Sequence, residues 1–379
     1  MTENYIRLGL RLGRHVDGLV DAYYGPAELQ QEVDAEPLRE PAALVADAGR
    51  LLDATDGWLR HQVVGLETVA RKLAGEQIAY ADEVERCYGV RPQRTPEAEF
   101  EQAHADLARV LTGDGSLGER YQAWREENPV PGDQLPSVLE SLVVELRRRT
   151  LELFGLPEGE KAELDYVTDE PWSAFNYYLG DLRSRVAVNL DVQMVPNVVT
   201  ELLAHELYPG HHTEHAWKEQ LLVREAGRLE ESILMVVAPQ SLISEGIAKL
   251  APEIVVEDED LLTAEQLSRF GIDYDAETAG AVRRSRVVLE KVSGNTALLL
   301  YEDGADAGDA RDYLRRWALM SERRADQAMR FITDPVWRSY VTTYSDGYRL
   351  CRDWVAGDPA KFKRLLTEQL SPAELLASG

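Results

Sequence analysis

The histidines of this chain are concentrated in one short segment, residues 203–215, which reads Leu-Ala-His-Glu-Leu-Tyr-Pro-Gly-His-His-Thr-Glu-His. Four of the seven histidines in 379 residues lie there, together with two glutamates. Imidazole and carboxylate groups at close spacing are the ligands that zinc prefers, and one carboxylate can remain free to act as a base on water. A polar helix end with solvated histidines is the alternative, but spacing and composition together favour a metal site.

The spacing of these histidines departs from the usual zinc-peptidase motif His-Glu-x-x-His, because position 209 is proline. The next histidine after His205 is His211, which a regular helix would place about 240° around its axis. His212 regains the same face but would lie about 10 Å further along the axis. Two nitrogens that bind one ion can be little more than about 4 Å apart, so neither pair can bind a metal from a regular helix.

Pro209 and Gly210 lie between the two histidines and offer a way around this problem. Proline removes a backbone donor and clashes with the carbonyl one turn earlier, while glycine tolerates unusual backbone angles. We therefore expect a bulge in the helix that returns His211 to the side of His205. On this hypothesis both histidines are zinc ligands, and Glu206 is the general base.

The helix that carries the first histidine is predicted to begin at Pro196, with Asn197 as its N-cap. His205 and Glu206 continue the apolar stripes of this helix, so both side chains are expected to point inward. A buried charge needs a partner, and a bound cation would provide one.

A second metal motif overlaps the first. The segment from His211 to His215 reads His-x-x-Glu-His, the inverted peptidase motif, with ideal four-residue spacing between its two outer histidines. Glu214 would then supply the carboxylate. On spacing alone this motif is the more regular one, and the sequence leaves both assignments open.

The composition indicates the class of protein and its surroundings. The chain has 41 Lys and Arg against 67 Asp and Glu, a formal net charge of -26, which disfavours nucleic acid and anionic membranes as partners. No apolar run reaches 18 residues, and residues 1–20 lack the apolar core of a signal peptide, so we expect a cytoplasmic protein. Cys87 and Cys351 are expected to be reduced and buried.

The sequence predicts a mostly α-helical, elongated multi-helix fold with a cleft. We expect an N-terminal helical lobe over residues 1–155 and a metal-binding catalytic lobe over 156–379, in one compact unit. Besides the metal helix, periodicity predicts helices at about residues 5–24, 41–55, 57–88, 96–112, 135–154, 213–228, 239–251, 263–270, 275–301, 309–333 and 335–355.

One β-hairpin interrupts the predicted helices. Between Asp165 and Leu190 the chain becomes aromatic and β-branched, and Gly180-Asp181 divides two such runs. A strand beside the histidine segment could pair with an extended peptide, with Asn189 as a substrate contact. A small structural ribbon is the alternative.

The segment from His205 to His212 resembles the His-Glu-x-x-Pro-Gly-His-His signature of domain-of-unknown-function family 885, a largely bacterial group. The resemblance implies the helical fold of the thermostable carboxypeptidases and a metallopeptidase site. Dipeptidyl peptidase III similarly interrupts its zinc motif by one residue. The resemblance also implies that His205 and His211 bind zinc, that Glu206 is the base, and that a later glutamate is the third ligand.

A later segment of that family reads Glu-Gly-x-Ala, and Glu245-Gly246-Ile247-Ala248 matches it. The resemblance therefore implies Glu245 as the third ligand. Helical periodicity alone does not select this residue. Glu230 and Glu231, which lie 19 and 20 residues after His211, stay alternatives.

The family also carries Tyr-x-x-Gly near its C-terminus, which Tyr344-Ser345-Asp346-Gly347 matches, although Ser339-Tyr340-Val341 replaces the family's preceding Gly-Gln-Ala. The hydroxyl of Tyr344 is a candidate electrophile for the tetrahedral oxygen of the reaction, and Tyr348 is a candidate substrate contact. These tyrosines also form a helical stripe with Tyr340, so packing in the core is the alternative.

These observations predict a zinc metallopeptidase with Zn2+ held by His205 and His211. The resemblance further implies Glu245 as the third ligand, and exopeptidase-like or carboxypeptidase-like action on short peptides. A zinc hydrolase of a non-peptide amide or ester would use the same chemistry. A non-catalytic helical module with a structural metal would need His212 or His215 as a fourth ligand. Cobalt or manganese could occupy the same ligands.

Overall fold

The computed structural model describes residues 1–170, 172–335 and 337–377. The fold is mostly α-helical, as the sequence predicts. Its helices in chain order are α1 (Thr2–Gly13), α2 (Ala27–Ala35), α3 (Pro41–Ala54), α4 (Gly57–Leu73), α5 (Tyr80–Tyr88), α6 (Glu97–Val110), α7 (Leu117–Glu127), α8 (Leu135–Phe154), α9 (Pro196–Glu206), α10 (His211–Lys218), α11 (Pro239–Val255), α12 (Glu259–Ser268), α13 (Ala276–Glu290), α14 (Val292–Tyr301), α15 (Ala307–Trp317), α16 (Glu322–Thr333), α17 (Thr343–Val355), α18 (Pro359–Thr367) and α19 (Pro372–Ala377). Shorter turns are a π-helix at Glu219–Glu225 and 3-10 helices at Leu229–Ser232 and Tyr340–Thr342.

Two small sheets accompany the helices. Their strands are β1 (Val20–Tyr23), β2 (Lys161–Val167), β3 (Ala174–Gly180), β4 (Arg183–Asn189) and β5 (Ile233–Met235). β1 and β5 pair antiparallel, with Val20 opposite Met235. β3 and β4 form an antiparallel hairpin with Asn176 opposite Val186, and β2 lies parallel to β4, which gives the order β2-β4-β3. The predicted hairpin is confirmed, whereas β2 and the second sheet were not predicted.

Glycines in left-handed conformations divide two of the predicted helices. The helix predicted over residues 5–24 is wrong beyond Gly13, where α1 ends; Gly18 has a φ of +74°, which breaks a helix, and the chain then extends as β1. The predicted 57–88 helix is divided at Gly75, with a φ of +92°, into α4 and α5. The segments 275–301 and 309–333 also form two helices each, and α2, α7, α18 and α19 were not predicted.

One core of buried apolar side chains extends through both predicted lobes. Leu66, Phe100 and Leu142 contribute to it from the first 155 residues, and Leu203 and Ile247 contribute from the remainder. A continuous core fits the compact unit that we expect, while the division at residue 155 stays a prediction.

The interior also contains both cysteines. Cys87 and Cys351 are buried and make no disulfide, which confirms the prediction of buried thiols. Burial raises the pKa of both thiols, so neither has the character of a reactive thiolate. Among the described helices, none combines the length and the apolar character that crossing a membrane requires.

The backbones of α11 and α17 touch where a glycine of each helix meets the other. A Cβ added to Gly246 would overlap the carbonyl of Gly347, and a Cβ added to Gly347 would overlap the carbonyl of Leu242. This approach matters for the site because α11 carries Glu245 and α17 carries Tyr344.

Gly347→Ala is therefore expected to lower the free energy of unfolding by about 1–3 kcal/mol, since the added methyl group must push two helices apart. Denaturant unfolding followed by circular dichroism measures the change. Gly49→Ala is the matched control, because Gly49 lies in α3 and its Cβ would meet no atom within 4 Å. That variant is expected to be neutral or slightly more stable. Equal losses in both variants would show that the contact is not tight.

Candidate metal centre

A sharp break between two helices creates the centre. α9 ends at Glu206 and α10 begins at His211, and the four residues between them fold back over the end of α9. The backbone N–H of Gly210 donates to the carbonyl of Ala204 at 2.9 Å. A Cβ at this position would overlap the carbonyl oxygen of His205, so only glycine permits the approach. The predicted bulge is thus wrong in form, because the chain makes two separate helices.

This break brings the three predicted ligands together. The ring centroids of His205 and His211 lie 4.8 Å apart, with the rings nearly perpendicular at 89°. Nε2 of His205 lies 3.7 Å from Oε2 of Glu245, and Nε2 of His211 lies 3.7 Å from Oε1 of the same carboxylate. All three ligand atoms lie within 4.8 Å of one another. The two 3.7 Å separations are within the limit of about 4 Å for atoms that share one ion, so the three groups can converge on a single cation.

The carboxylate of Glu245 has one oxygen that the protein leaves unsatisfied. Its Oε1 accepts a hydrogen bond from the hydroxyl of Tyr340 at 2.6 Å. Its Oε2 is buried and has no hydrogen-bond partner among the described residues. A buried carboxylate oxygen without a donor is costly, and a cation held jointly with the histidines would remove that cost. The donor set of two imidazoles and a carboxylate therefore fits zinc.

A hydrogen-bond chain fixes which nitrogen of His211 can bind a metal. The hydroxyl of Ser244 donates to Oε2 of Glu214 at 2.5 Å, so its oxygen is left to accept. Nδ1 of His211 lies 3.1 Å from that oxygen and must carry the proton that it donates. In the neutral imidazole, Nε2 of His211 is then unprotonated and lies on the side of Glu245, as in metal-binding histidines held by an outer hydrogen bond.

The same chain argues against the rival motif. Ligand atoms of His211, Glu214 and His215 also lie within 4.8 Å of one another. However, Oε1 of Glu214 accepts from Nζ of Lys218 at 2.7 Å, and its other oxygen accepts from Ser244. A cation bound there would have to displace a buried ammonium group that already neutralises the carboxylate. The geometry therefore favours the cluster that contains Glu245.

His212 cannot complete a closed structural site. It is fully buried, its Nδ1 lies 2.8 Å from the Ser184 hydroxyl, and its Nε2 lies 2.8 Å from Oε2 of Glu160. Among the described residues, no fourth histidine, cysteine or carboxylate joins the three ligands. A site with three protein ligands leaves a coordination position open, which is typical of catalytic zinc.

Glu206 lies beside the ligands with a free carboxylate. Its side chain is 8% exposed and makes no hydrogen bond or ion pair with a described residue. Burial raises its pKa to about 7; His211 opposes the shift, while the charges of Glu245 and Asp21 add to it. Its backbone carbonyl accepts from the side-chain amide of Asn176 at 2.5 Å, which fixes the end of α9. A carboxylate with such a pKa is suited to general-base catalysis.

Tyr344 lies close to the candidate ligands. Its side chain is 38% exposed, yet burial raises its pKa, and the nearby carboxylates of Glu245 and Glu206 raise it further. Its ring lies 5.5 Å from that of Tyr340 and nearly perpendicular to it. The hydroxyl has no hydrogen-bond partner among the described residues and is free to donate.

The structure does not bring the two predicted substrate contacts to the centre. The side-chain amide of Asn189 donates to two carbonyl groups of the loop before β3, at 2.7 and 3.0 Å, and is buried. The hydroxyl of Tyr348 donates to Glu253, which lies eight residues beyond Glu245 on α11, about 12 Å along the axis. Both side chains serve local structure.

Two other assignments are also resolved by hydrogen bonds. Asn197 is not the N-cap of α9, because it lies inside the first turn and its amide donates to the carbonyl of Ala279 at 3.2 Å. Glu230 and Glu231 lie within hydrogen-bonding distance of the amide of Gln369, at 3.5 and 2.9 Å, and neither joins a group of ligands.

Sequence reasoning missed several residues that support the centre. Ser244 directly precedes the third ligand, and Lys218 lies one turn after the glutamate that it neutralises, so local spacing could have suggested both. Tyr340, which holds Glu245, was considered only as a member of a stripe. Asn176 binds the end of α9 from β3, and the charge of Asp21 on β1 acts on His211 and Glu245; the sequence contains no signal for either interaction.

Comparison with known proteins indicates the fold alone. No family model and no curated protein matches the chain. A candidate lipoprotein from Colwellia psychrerythraea has a similar structure, with 15% identity, a TM-score of 0.55 and 93% of this chain covered; the chain spans 63% of that protein's length. A candidate lipoprotein of unknown function from Shewanella oneidensis is 13% identical with a TM-score of 0.44, covering 92% of this chain and 69% of that one. The resemblance to family 885 stays a prediction.

Replacing either of two buried histidines distinguishes the overlapping motifs by zinc binding. His205 and His215 both have a pKa lowered by burial, and neither ring is hydrogen-bonded to a described residue, so alanine leaves no unpaired charge in either case. His205→Ala is expected to weaken zinc binding more than about 100-fold, and His215→Ala less than about threefold. Competition with a chromophoric chelator measures the affinity, and the opposite order would assign the metal to the rival motif.

Proposed function

We propose that the protein is a zinc-dependent peptidase that acts on short peptides. The observation that carries the proposal is the convergence of His205, His211 and Glu245 on one point, beside the free carboxylate of Glu206. Three protein ligands with an open position and a neighbouring base are the components of zinc-assisted hydrolysis. Carboxypeptidase-like action rests on the resemblance alone.

Zinc bound at this centre would polarise the scissile carbonyl and lower the pKa of a water molecule. Glu206 would accept a proton from the attacking water and later deliver it to the leaving amine, because its free carboxylate lies next to the ligands. The hydroxyl of Tyr344 would donate a hydrogen bond to the oxyanion as charge develops there. Tyr340 and Ser244 would hold Glu245 and His211 in place.

Glu206→Gln is expected to keep zinc and to lower kcat for peptide hydrolysis by about 10²–10⁴-fold, since the amide cannot accept the proton. Digestion of a defined mixture of dipeptides to tetrapeptides, followed by mass spectrometry, measures turnover. A chelator should abolish wild-type turnover, and added zinc should restore it. If Glu214→Gln abolished turnover while Glu206→Gln did not, and both retained zinc, the base would be wrongly assigned.

Tyr344→Phe is expected to lower kcat by about 10²–10³-fold with little change in zinc affinity, because it removes one donor to the oxyanion. Tyr348→Phe is the matched control. It removes the same atom from the next turn of α17, where the hydroxyl binds Glu253 instead of facing the centre. A similar, small effect of both substitutions would remove Tyr344 from the reaction.

A further inference from the structure

A series of ring contacts runs from the end of β1 to His211. Tyr24, directly after β1, lies 5.2 Å from the ring of Tyr178 on β3. Tyr178 lies 5.2 Å from His215, which stacks at 5.9 Å on His211. These contacts place the end of β1 on the side of the centre formed by α10.

Asp21 projects from this strand into the space around the centre. Within β1 the side chain of Ala22 is buried, and Asp21 points to the opposite, exposed side. Although exposed, it lies among enough protein for burial to raise its pKa to about 6, with His211 opposing and Glu245 adding to the shift. Its charge in turn raises the pKa of Glu206. The carboxylate is therefore open to solvent and lies near enough to His211, Glu245 and Glu206 for their charges to interact.

The carboxylate of Asp21 has no counter-ion in the described part of the chain. No described residue forms a hydrogen bond or ion pair with it. The lysine whose charge reaches His205 and Glu206 is Lys249, and that ammonium is already held by Glu201 at 3.3 Å and Glu290 at 2.8 Å. Among the described residues, Asp21 is thus an anion near this centre without an ion-pair partner, whereas the ammonium of Lys249 is already paired.

We propose that Asp21 binds the protonated amino group of the substrate, so that the enzyme recognises the free amino end of short peptides. An ammonium group has three donors and forms strong charge-assisted hydrogen bonds with a carboxylate. A peptide carboxylate beside Asp21 would be repelled by Asp21 and Glu206. This inference rests on the proposed peptidase function and replaces the carboxyl-end preference that the family resemblance implies.

Peptides that differ only in their end groups test the preference. Tri-alanine is compared with propionyl-Ala-Ala, which lacks only the amino group, and with tri-alanine amide, which lacks only the terminal charge. Removal of the amino group is expected to lower kcat/KM by about 10- to 100-fold, whereas amidation should change it less than about threefold. Loss of activity on amidation, with the des-amino peptide still cleaved, would overturn the inference and indicate carboxyl-end recognition.

The substitution Asp21→Asn tests whether Asp21 is responsible for the preference for a free amino group. The variant should hydrolyse tri-alanine with a KM raised about 10-fold or more, leave propionyl-Ala-Ala unchanged, and keep its zinc. Asp17→Asn is the matched control, because Asp17 is an exposed carboxylate four residues earlier, outside β1. A wild-type preference for the amino group that survives Asp21→Asn would contradict the assignment.

A binding measurement separates this inference from the proposed function. Zinc-loaded Glu206→Gln protein is titrated with tri-alanine by calorimetry, with and without Asp21→Asn. A loss of affinity of about 10-fold or more on Asp21→Asn supports amine recognition even if the wild-type protein hydrolyses no peptide, a result that would reject only the peptidase proposal. Equal affinities with intact wild-type turnover would reject only the role of Asp21.

Discussion

The close approach of Gly210 to the carbonyl of His205 is the constraint on which the centre depends. It allows the chain to leave α9 and start α10 within four residues, with the first histidine of α10 returned to the last turn of α9. A side chain at that position would push the two helices apart, and the two imidazoles could no longer face one point. Pro209 contributes by lacking the donor that a continuous helix would need.

The remaining ligand is presented by a helix that is itself held closely. α11 packs against α9, α10 and α17, and its contact with α17 runs through two glycines. From α11, Glu245 faces the histidines while the adjacent Ser244 connects His211 to the Glu214–Lys218 pair. One helix thus supplies both a candidate ligand and the group that orients another candidate ligand, which couples the geometry of the centre to the packing of the core.

How well the sequence predicts a feature of this protein depends on how far apart in the chain the residues that determine it lie. The convergence of His205 and His211 could be predicted because proline and glycine act locally, although the bulge proved to be a break. Periodicity identified α3, α6 and α8 well, since their apolar stripes match the core that they meet. It failed after Gly13, where apolar residues at helical spacing follow a glycine with positive φ and form β1.

The third ligand could not be predicted from periodicity, because the side chain that a helix turns toward a distant partner depends on tertiary packing. Its identity came only from the resemblance of Glu245-Gly246-Ile247-Ala248 to a family segment. The structure supplies an independent reason, because the carboxylate of Glu245 lies beside both imidazoles and its unsatisfied Oε2 is 3.7 Å from Nε2 of His205. Nothing in the sequence indicated that Asp21 lies near the centre, since the neighbours of a lone aspartate in a short strand are set only by tertiary packing.

The distribution of charge around the centre distinguishes acids that stabilise the fold from acids that could serve chemistry. Buried carboxylates a short distance away are neutralised by the chain itself: Glu214 by Lys218, Glu160 by Arg147, and Glu201 by Lys249 and Arg286. By contrast, Glu245, Glu206 and Asp21 converge without a described lysine or arginine in contact. Like charges held together destabilise one another, so this arrangement opposes folding unless cations from outside the chain compensate it. A metal ion would compensate Glu245, and the ammonium of a peptide is the complementary group for Asp21.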